Sequence, residues 1–155
     1  IGQGMKCNLA DVNAAIGLAQ IRKYEELLKE RKRVFTRYSK ALKQYAWALT
    51  PPAETPTKES SYHVYALRIN GVTEQQRDEI IQEISKANVA VNVHFIPMPM
   101  LTLFRDLGYD INDYPQAYRN YAHEISLPIY PQLTNEQADF VVQTVVEAYN
   151  KVMGK

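Results

Sequence analysis

The chain has 155 residues, 46% hydrophobic and 23% charged, the balance of an ordinary globular domain long enough to bury a core. Eighteen basic against seventeen acidic residues leave a net charge of +1, which offers no field to nucleic acid or to an acidic membrane face. No apolar run reaches the roughly 18 residues of a membrane span and no basic-then-apolar leader is present, so the expected location is the cytoplasm. The lone cysteine, Cys7, excludes an internal disulfide and a multi-cysteine metal cluster, and reads as a buried or incidental thiol.

A polar stretch from Gly4 runs into a helix whose first turns carry Ala14, Ala15, Gly17 and Ala19, residues small enough for another backbone to approach closely. Lys6 and Asn8 precede it. A cation, an amide and free helix-start N–H groups suit an anion, although a capped helix packed on a neighbour fits the same residues. From about Asp11 to Gln44 the pattern predicts one long amphipathic helix. Ile21, Leu28, Phe35 and Leu42 recur every seven residues, Tyr24, Tyr38 and Tyr45 follow by three, and Leu27 and Val34 widen the stripe. At ~1.5 Å per residue it spans on the order of 50 Å and is expected to bridge two bodies. Arg22, Lys23, Glu25, Glu26, Lys29, Glu30, Lys32 and Arg33 form a solvated face of mixed sign, with Glu25–Lys29 as an i,i+4 pair.

The Pro-rich stretch Thr50 to Lys58 reads as a loop, and Ser61 to Ile69 as a strand. Thr73 with Gln76 is a capping-box signature for a helix that turns Ile80, Ile81, Ile84 and Ala87 inward. Val89 to Phe95 reads as a second strand, ended by Pro97 and Pro99. Asp113, Pro115 and Gln116 start a short helix through about Ala122, and Ile125 to Ile129 is a third strand. Thr134 with Gln137 caps a last helix expected to bury Phe140, Val141, Val145 and Val146. The order α, β-α-β, short helix, β, α predicts an α/β (α+β) fold: a long N-terminal bridging helix and a small antiparallel sheet with helices on one face.

Three histidines are candidates for chemistry. His94 ends a strand just before a Pro-rich turn, a usual place for a ligand-facing side chain. His63 lies on an alternating strand, where a satisfied structural histidine is the competing reading, and His123 beside Glu124 reads as a surface residue. Their scatter provides no metal site, and no catalytic residue is assigned within the chain. Asp110 and Asp113 read as loop and cap residues rather than a glycosidase pair, and no Gly-rich phosphate loop is present.

Five segments in order resemble one family. Gly4-Met-Lys-Cys-Asn-Leu-Ala-Asp-Val-Asn-Ala-Ala-Ile-Gly-Leu-Ala-Gln20 is similar to the Gly-Tyr-Lys-Tyr-Asn-Met/Leu-x-Asp-x-x-Ala-Ala-Ile-x-Leu-x-Gln-Leu motif of the DegT-type (DegT/DnrJ/StrS) sugar aminotransferases. Glu30-Arg-Lys-Arg33 with Tyr38 is similar to the family's Arg-Arg…Tyr stretch, and Ser61-Tyr-His-Val-Tyr65 to its Ser-x-x-His-Leu-Tyr/Phe strand. His94-Phe-Ile-Pro97, followed by Phe104, Leu107, Gly108 and Tyr109, resembles its His-Tyr-x-Pro-Leu-His segment and the Leu-Gly-Tyr after it. Glu124-Ile-Ser-Leu-Pro-Ile-Tyr-Pro-Gln-Leu-Thr134 resembles its Ser-Leu-Pro-Leu-Tyr-Pro-x-Leu-Thr signature.

The resemblance implies the C-terminal small domain of a fold-type I enzyme dependent on pyridoxal 5'-phosphate. Residues 1–50 would be the linker segment and interdomain helix, and 51–155 the small domain. The chain starts mid-motif at Ile1, and the large cofactor-binding domain, with its Schiff-base lysine and pyridinium-binding aspartate, is expected upstream. The implied substrates are a nucleotide-linked keto-sugar and glutamate, in cell-surface polysaccharide synthesis. Lys6 and Asn8 would reach across a homodimer interface to the partner's cofactor phosphate. His94 and His63 would line the sugar-nucleotide site. Pro99 stands where many members have the second histidine of the segment, and a proline can neither accept nor pass a proton. The chain by itself is expected to be inactive. Two alternatives stay open: a keto-sugar dehydratase of the same family, with histidine in place of the lysine, and a free-standing ferredoxin-like binding module.

Overall fold

The computed structural model describes residues 8–154. Helices α1 (Asp11–Ile21) and α2 (Tyr24–Leu42) replace the single long helix of the sequence reading. At the junction the Lys23 N–H turns back to the Gln20 carbonyl at 3.0 Å, a three-residue reach, and the α-helical ladder restarts from the Lys23 carbonyl. No side chain of α1 is buried, and Ile21 is 73% exposed, so the heptad stripe is used only from Leu28 onward. An added Cβ on Gly17 would meet nothing within 4 Å, so the described residues do not provide the close neighbour that the small residues suggested. Glu25 and Lys29 form no ion pair among the described residues; the i,i+3 pair Glu30–Arg33 forms instead, at 2.8 Å.

A three-stranded antiparallel sheet has the order β1 (Ala48–Leu49), β4 (Tyr65–Ile69), β5 (Glu124–Leu127). Tyr65 pairs with Leu127 and Arg68 with Glu124 across its main ladder. The predicted strand from Ser61 is cut short to β4 because Tyr62 takes a left-handed backbone (φ 53°), which breaks extended pairing before Tyr65. The predicted strand Val89–Phe95 is reduced to one bridge, in which Asn92 exchanges backbone hydrogen bonds of 3.2 and 2.7 Å with Ser126. The Pro-rich stretch is less irregular than expected: β2 (Glu54–Thr55) and β3 (Lys58–Glu59) close a small hairpin around Pro56-Thr57.

Alternation along β4 and β5 divides the sheet's two faces. Tyr65, Leu67, Ile69, Ile125 and Leu127 join the core built with α2, α3 (Glu74–Lys86) and α6 (Asn135–Met153). Phe35 and Tyr38 of α2 meet the Tyr65 ring edge-on at 4.8 and 5.1 Å, favourable aromatic geometry. Both capping boxes form: Thr73 and Thr134 each accept from the backbone N–H three residues on, at 3.2 Å, and Gln76 and Gln137 return the bond. On α6, Val141, Val142, Val145, Ala148 and Tyr149 face the core, whereas Phe140 is 51% exposed. Phe140 falls on the outer side of a helix whose inner stripe runs 138, 141, 145, 148, the ordinary helical period. Tyr149 stacks on Trp47 at 4.2 Å and so ties α6 to the approach to β1.

The other face of the sheet carries Ala66, Arg68, Glu124 and Ser126. A short α4 (Thr102–Asp106) and α5 (Pro115–His123) follow the His94 turn, and α5 lies over β4. Pro115 opens α5 as expected, but its cap position is Tyr114; Asp113 belongs to a preceding 3-10 turn and does not cap the helix.

Candidate substrate cleft

The Arg68 side of the sheet, α5 and the His94–Pro97 turn enclose an open cleft of about 440 Å³. Arg68, Glu124, Asn120, Tyr121 and His94 supply its polar lining, and Pro51, Pro52 and Phe95 its apolar walls. Arg68 Nη1 donates to Asn120 Oδ1 at 3.0 Å, which orients the guanidinium beside the cleft. A second cleft of about 420 Å³ adjoins it, lined by His63, Val64, Asn92, Ser126 and again His94. The exposed His94 ring therefore stands at the boundary of the two.

That ring is held from beneath. His94 Nδ1 lies 2.8 Å from Ser126 Oγ, and the Ser126 hydroxyl donates to Glu124 Oε1. Glu124 Oε2 accepts the backbone N–H of His94 at 2.9 Å, so one carboxylate holds both the main chain and, through Ser126, the side chain of His94. Glu124 is 4% and Ser126 6% exposed. Burial raises the Glu124 carboxyl above the usual carboxylate range, opposed by the bonds from Ser126 and the His94 N–H and by the nearby charges of His94 and Arg77. Under this cluster Arg77, only 1% exposed, donates from Nη1 to the carbonyls of Tyr121 (2.6 Å) and Glu124 (3.0 Å) and lies 4.9 Å from the Tyr121 ring centroid. Asp78 at 2.7 Å pairs with its Nε, so the buried cation is compensated while it fixes the α5–β5 junction.

The arrangement suits recognition rather than hydrolysis. Ser126 is buried with its hydroxyl engaged on both sides, so it is not placed as an attacking oxygen. No described residue bonds His94 Nε2, so that nitrogen is the ring's available hydrogen-bonding atom.

The structure brings together two of the residues singled out in the sequence, His63 and His94. Asn8 is exposed and lines neither cleft, and Lys6 and Cys7 lie outside the described residues. His123 ends α5, half-buried rather than on the surface. Asp110 caps the 3-10 turn by accepting the Asn112 N–H at 2.8 Å. Among the described residues no three His, Cys, Asp or Glu groups stand close enough to hold a metal ion, and no helix is long and apolar enough to cross a membrane. Sequence reasoning missed Glu124, Ser126, Arg68, Asn120 and Arg77. A signal existed for the first two: Glu124 and Ser126, at i and i+2 and alternating with Ile125 and Leu127, put two polar side chains on one strand face.

Residues 2–146 match the model of the DegT/DnrJ/EryC1/StrS aminotransferase family. The spore coat polysaccharide biosynthesis protein SpsC of Bacillus subtilis is 31% identical over 148 residues, 92% of this chain and 37% of that protein. A UDP-4-amino-4,6-dideoxy-N-acetyl-beta-L-altrosamine transaminase of Campylobacter jejuni is 26% identical over 149 residues, 96% of this chain and 39% of its own length. Among solved structures, Spr1654 of Streptococcus pneumoniae, assigned as a sugar aminotransferase, superimposes in its apo-form with a TM-score of 0.91 at 38% identity, covering 96% of this chain and 37% of that one. It is also solved in PMP- and PLP-forms. The chain thus spans well under half the length of these relatives.

Proposed function

Because the chain belongs to the DegT/DnrJ/EryC1/StrS aminotransferase family, we propose that it forms the substrate-side small domain of a pyridoxal-phosphate aminotransferase acting on a nucleotide-linked keto-sugar, with glutamate as amino donor. Residues 51–155 would be that domain, and 1–50 the linker and interdomain helices. The carrying observation is the paired cleft around His94: a fixed imidazole, His63, and the Arg68–Asn120 pair present hydrogen-bonding groups of the kind a sugar's hydroxyls require. The transaminase and polysaccharide-biosynthesis relatives support the substrate class.

The described residues do not fit the cofactor's covalent anchor. Every described lysine is exposed, whereas a Schiff-base lysine needs a desolvated setting. The cofactor's reactive partners are therefore assigned to the remainder of the enzyme, and no chemical step is assigned to this chain. Its part is to bind and orient the sugar and to exclude water. Asn8 and Lys6 are proposed to contact a cofactor phosphate across a homodimer interface to which the exposed apolar residues of α1 contribute.

The test is to incubate the complete protein with pyridoxal phosphate, glutamate and a set of nucleotide-linked keto-sugars. An aminated sugar supports the reading. A deoxygenated product without nitrogen identifies the dehydratase instead, and no turnover with any keto-sugar refutes both. The isolated chain, given the same cofactor and donor, should show neither the absorbance of a lysine-bound cofactor nor turnover.

A further inference from the structure

We propose that Glu124 is a positioning residue which, through Ser126, holds neutral His94 in the tautomer protonated on Nδ1, so that Nε2 offers a lone pair to a hydroxyl donor in the cleft. That a sugar hydroxyl is this donor rests on the function proposed above; the tautomer itself does not.

The inference follows from counting protons along the chain of contacts. Glu124 Oε2 is committed to the backbone N–H of His94 at 2.9 Å, so it must stay an acceptor. Oε1 faces the Ser126 hydroxyl, and an ionised carboxylate has no proton to give, so Ser126 donates to it. A serine has one proton. Its oxygen must then accept in the contact with His94 Nδ1 at 2.8 Å, and the ring must carry its proton there. Nε2, on the cleft side, is left as the acceptor. A protonated Glu124 reverses every donor in this relay and turns Nε2 into an N–H. The carboxyl's charge therefore selects what the cleft presents. The groups that bear on this charge are Arg68 across the strand, Arg77 from α3, Tyr121 from α5 and His94 itself. Burial opposes the ionised form and raises the carboxyl, while the hydrogen bonds from Ser126 and the His94 N–H and the charge of Arg77 favour it.

The same count predicts the effect of Glu124→Gln. The His94 N–H still requires an oxygen opposite it, so the amide must turn its NH2 toward Ser126. Ser126 Oγ then accepts from the amide and donates to Nδ1, and the His94 proton is driven to Nε2. The variant keeps size and shape while inverting the relay.

The experiment is a two-bond proton–nitrogen correlation spectrum of the complete protein with ring-labelled histidine, at pH about 8, above the ordinary imidazole range. The His94 signal is identified by its loss in His94→Gln. Wild type should show the Nδ1–H pattern and Glu124→Gln the Nε2–H pattern, while Ser126→Ala should lose the bias toward Nδ1–H. An Nε2–H wild type, or an unchanged pattern in Glu124→Gln, overturns the proposal. Should Glu124→Gln fail to fold, a persisting Nδ1–H pattern in Ser126→Ala overturns it equally. None of these results depends on substrate, so a failed relay leaves the sugar-binding role of His94 to be judged by its own kinetics.

Discussion

His94 and Ser126 are 32 residues apart in sequence, and the ring of one lies 2.8 Å from the hydroxyl of the other. The contact pins a loop to β5, whose outer face carries the buried polar residues Glu124 and Ser126. Ser126→Ala removes the ring's anchor and leaves His94 free to rotate within the cleft. A net hydrogen-bond contribution of about 0.5–1.5 kcal/mol corresponds to a rise in the sugar-nucleotide KM of roughly two- to twelvefold, with a smaller change for the amino donor. Steady-state kinetics on the complete enzyme with each substrate varied in turn measures both.

Glu124→Gln should flatten the dependence of stability on pH. The folded-state pKa of Glu124 is raised by burial, so its proton is bound more tightly in the folded than in the unfolded chain. The stabilisation from that proton is complete below the unfolded pKa and is lost as pH rises through the folded one. At neutral pH the wild type carries the cost of a buried charge that glutamine lacks. The variant is therefore expected to be at least as stable as wild type at neutral pH, and the difference to shrink on acidification into the ordinary carboxylate range. Denaturant titrations at several pH values check the sign.

Tyr38→Phe tests the tie between α2 and the strand end after β5. The buried Tyr38 hydroxyl donates to the Pro128 carbonyl at 2.8 Å, and the same burial holds its ionisation well above the usual phenol range. Losing the hydroxyl orphans that carbonyl and should cost about 1–2 kcal/mol. A lowered denaturation midpoint with an unchanged slope would report it.

Lys6→Ala should weaken cofactor retention in the complete enzyme by on the order of 1.5–3 kcal/mol, the worth of a charge-assisted hydrogen bond, and Asn8→Ala by less. Equilibrium dialysis against pyridoxal phosphate measures both. Unchanged retention in both variants would reduce the segment to helix packing.

The features legible in the sequence are the ones written locally. Each capping box lies within four residues, and Thr73–Gln76 and Thr134–Gln137 start their helices where the pattern places them. Features set by long-range contact were less legible. The turn at Arg22–Lys23 has neither glycine nor proline to announce it, and it falls where the stripe passes from unpacked residues of α1 to buried residues of α2. Val89 to Phe95 has the composition of a strand, but only Asn92 bridges to the backbone of β5, and the His94 N–H goes to the Glu124 carboxylate instead. The two candidate histidines were visible because they end or alternate along β-rich segments. Their supports were not: Glu124 reaches the His94 N–H across 30 residues, and Arg77 reaches the Glu124 carbonyl across 47. Glu124 read in sequence only as the neighbour of His123 and the start of the Glu124–Thr134 segment, with no role of its own.

The central claim is that His94 serves the sugar and not the cofactor. Single-turnover measurements of the two half-reactions of the complete enzyme, in wild type and His94→Ala, test it most directly. The half-reaction with glutamate should proceed at nearly the wild-type rate, while the half-reaction with the nucleotide-linked keto-sugar should show a raised KM or a lowered kcat. With Pro99 in place of a second histidine, no neighbouring imidazole on that turn is available to compensate. Equal damage to both half-reactions, or to neither, would contradict the account and remove His94 from the substrate site.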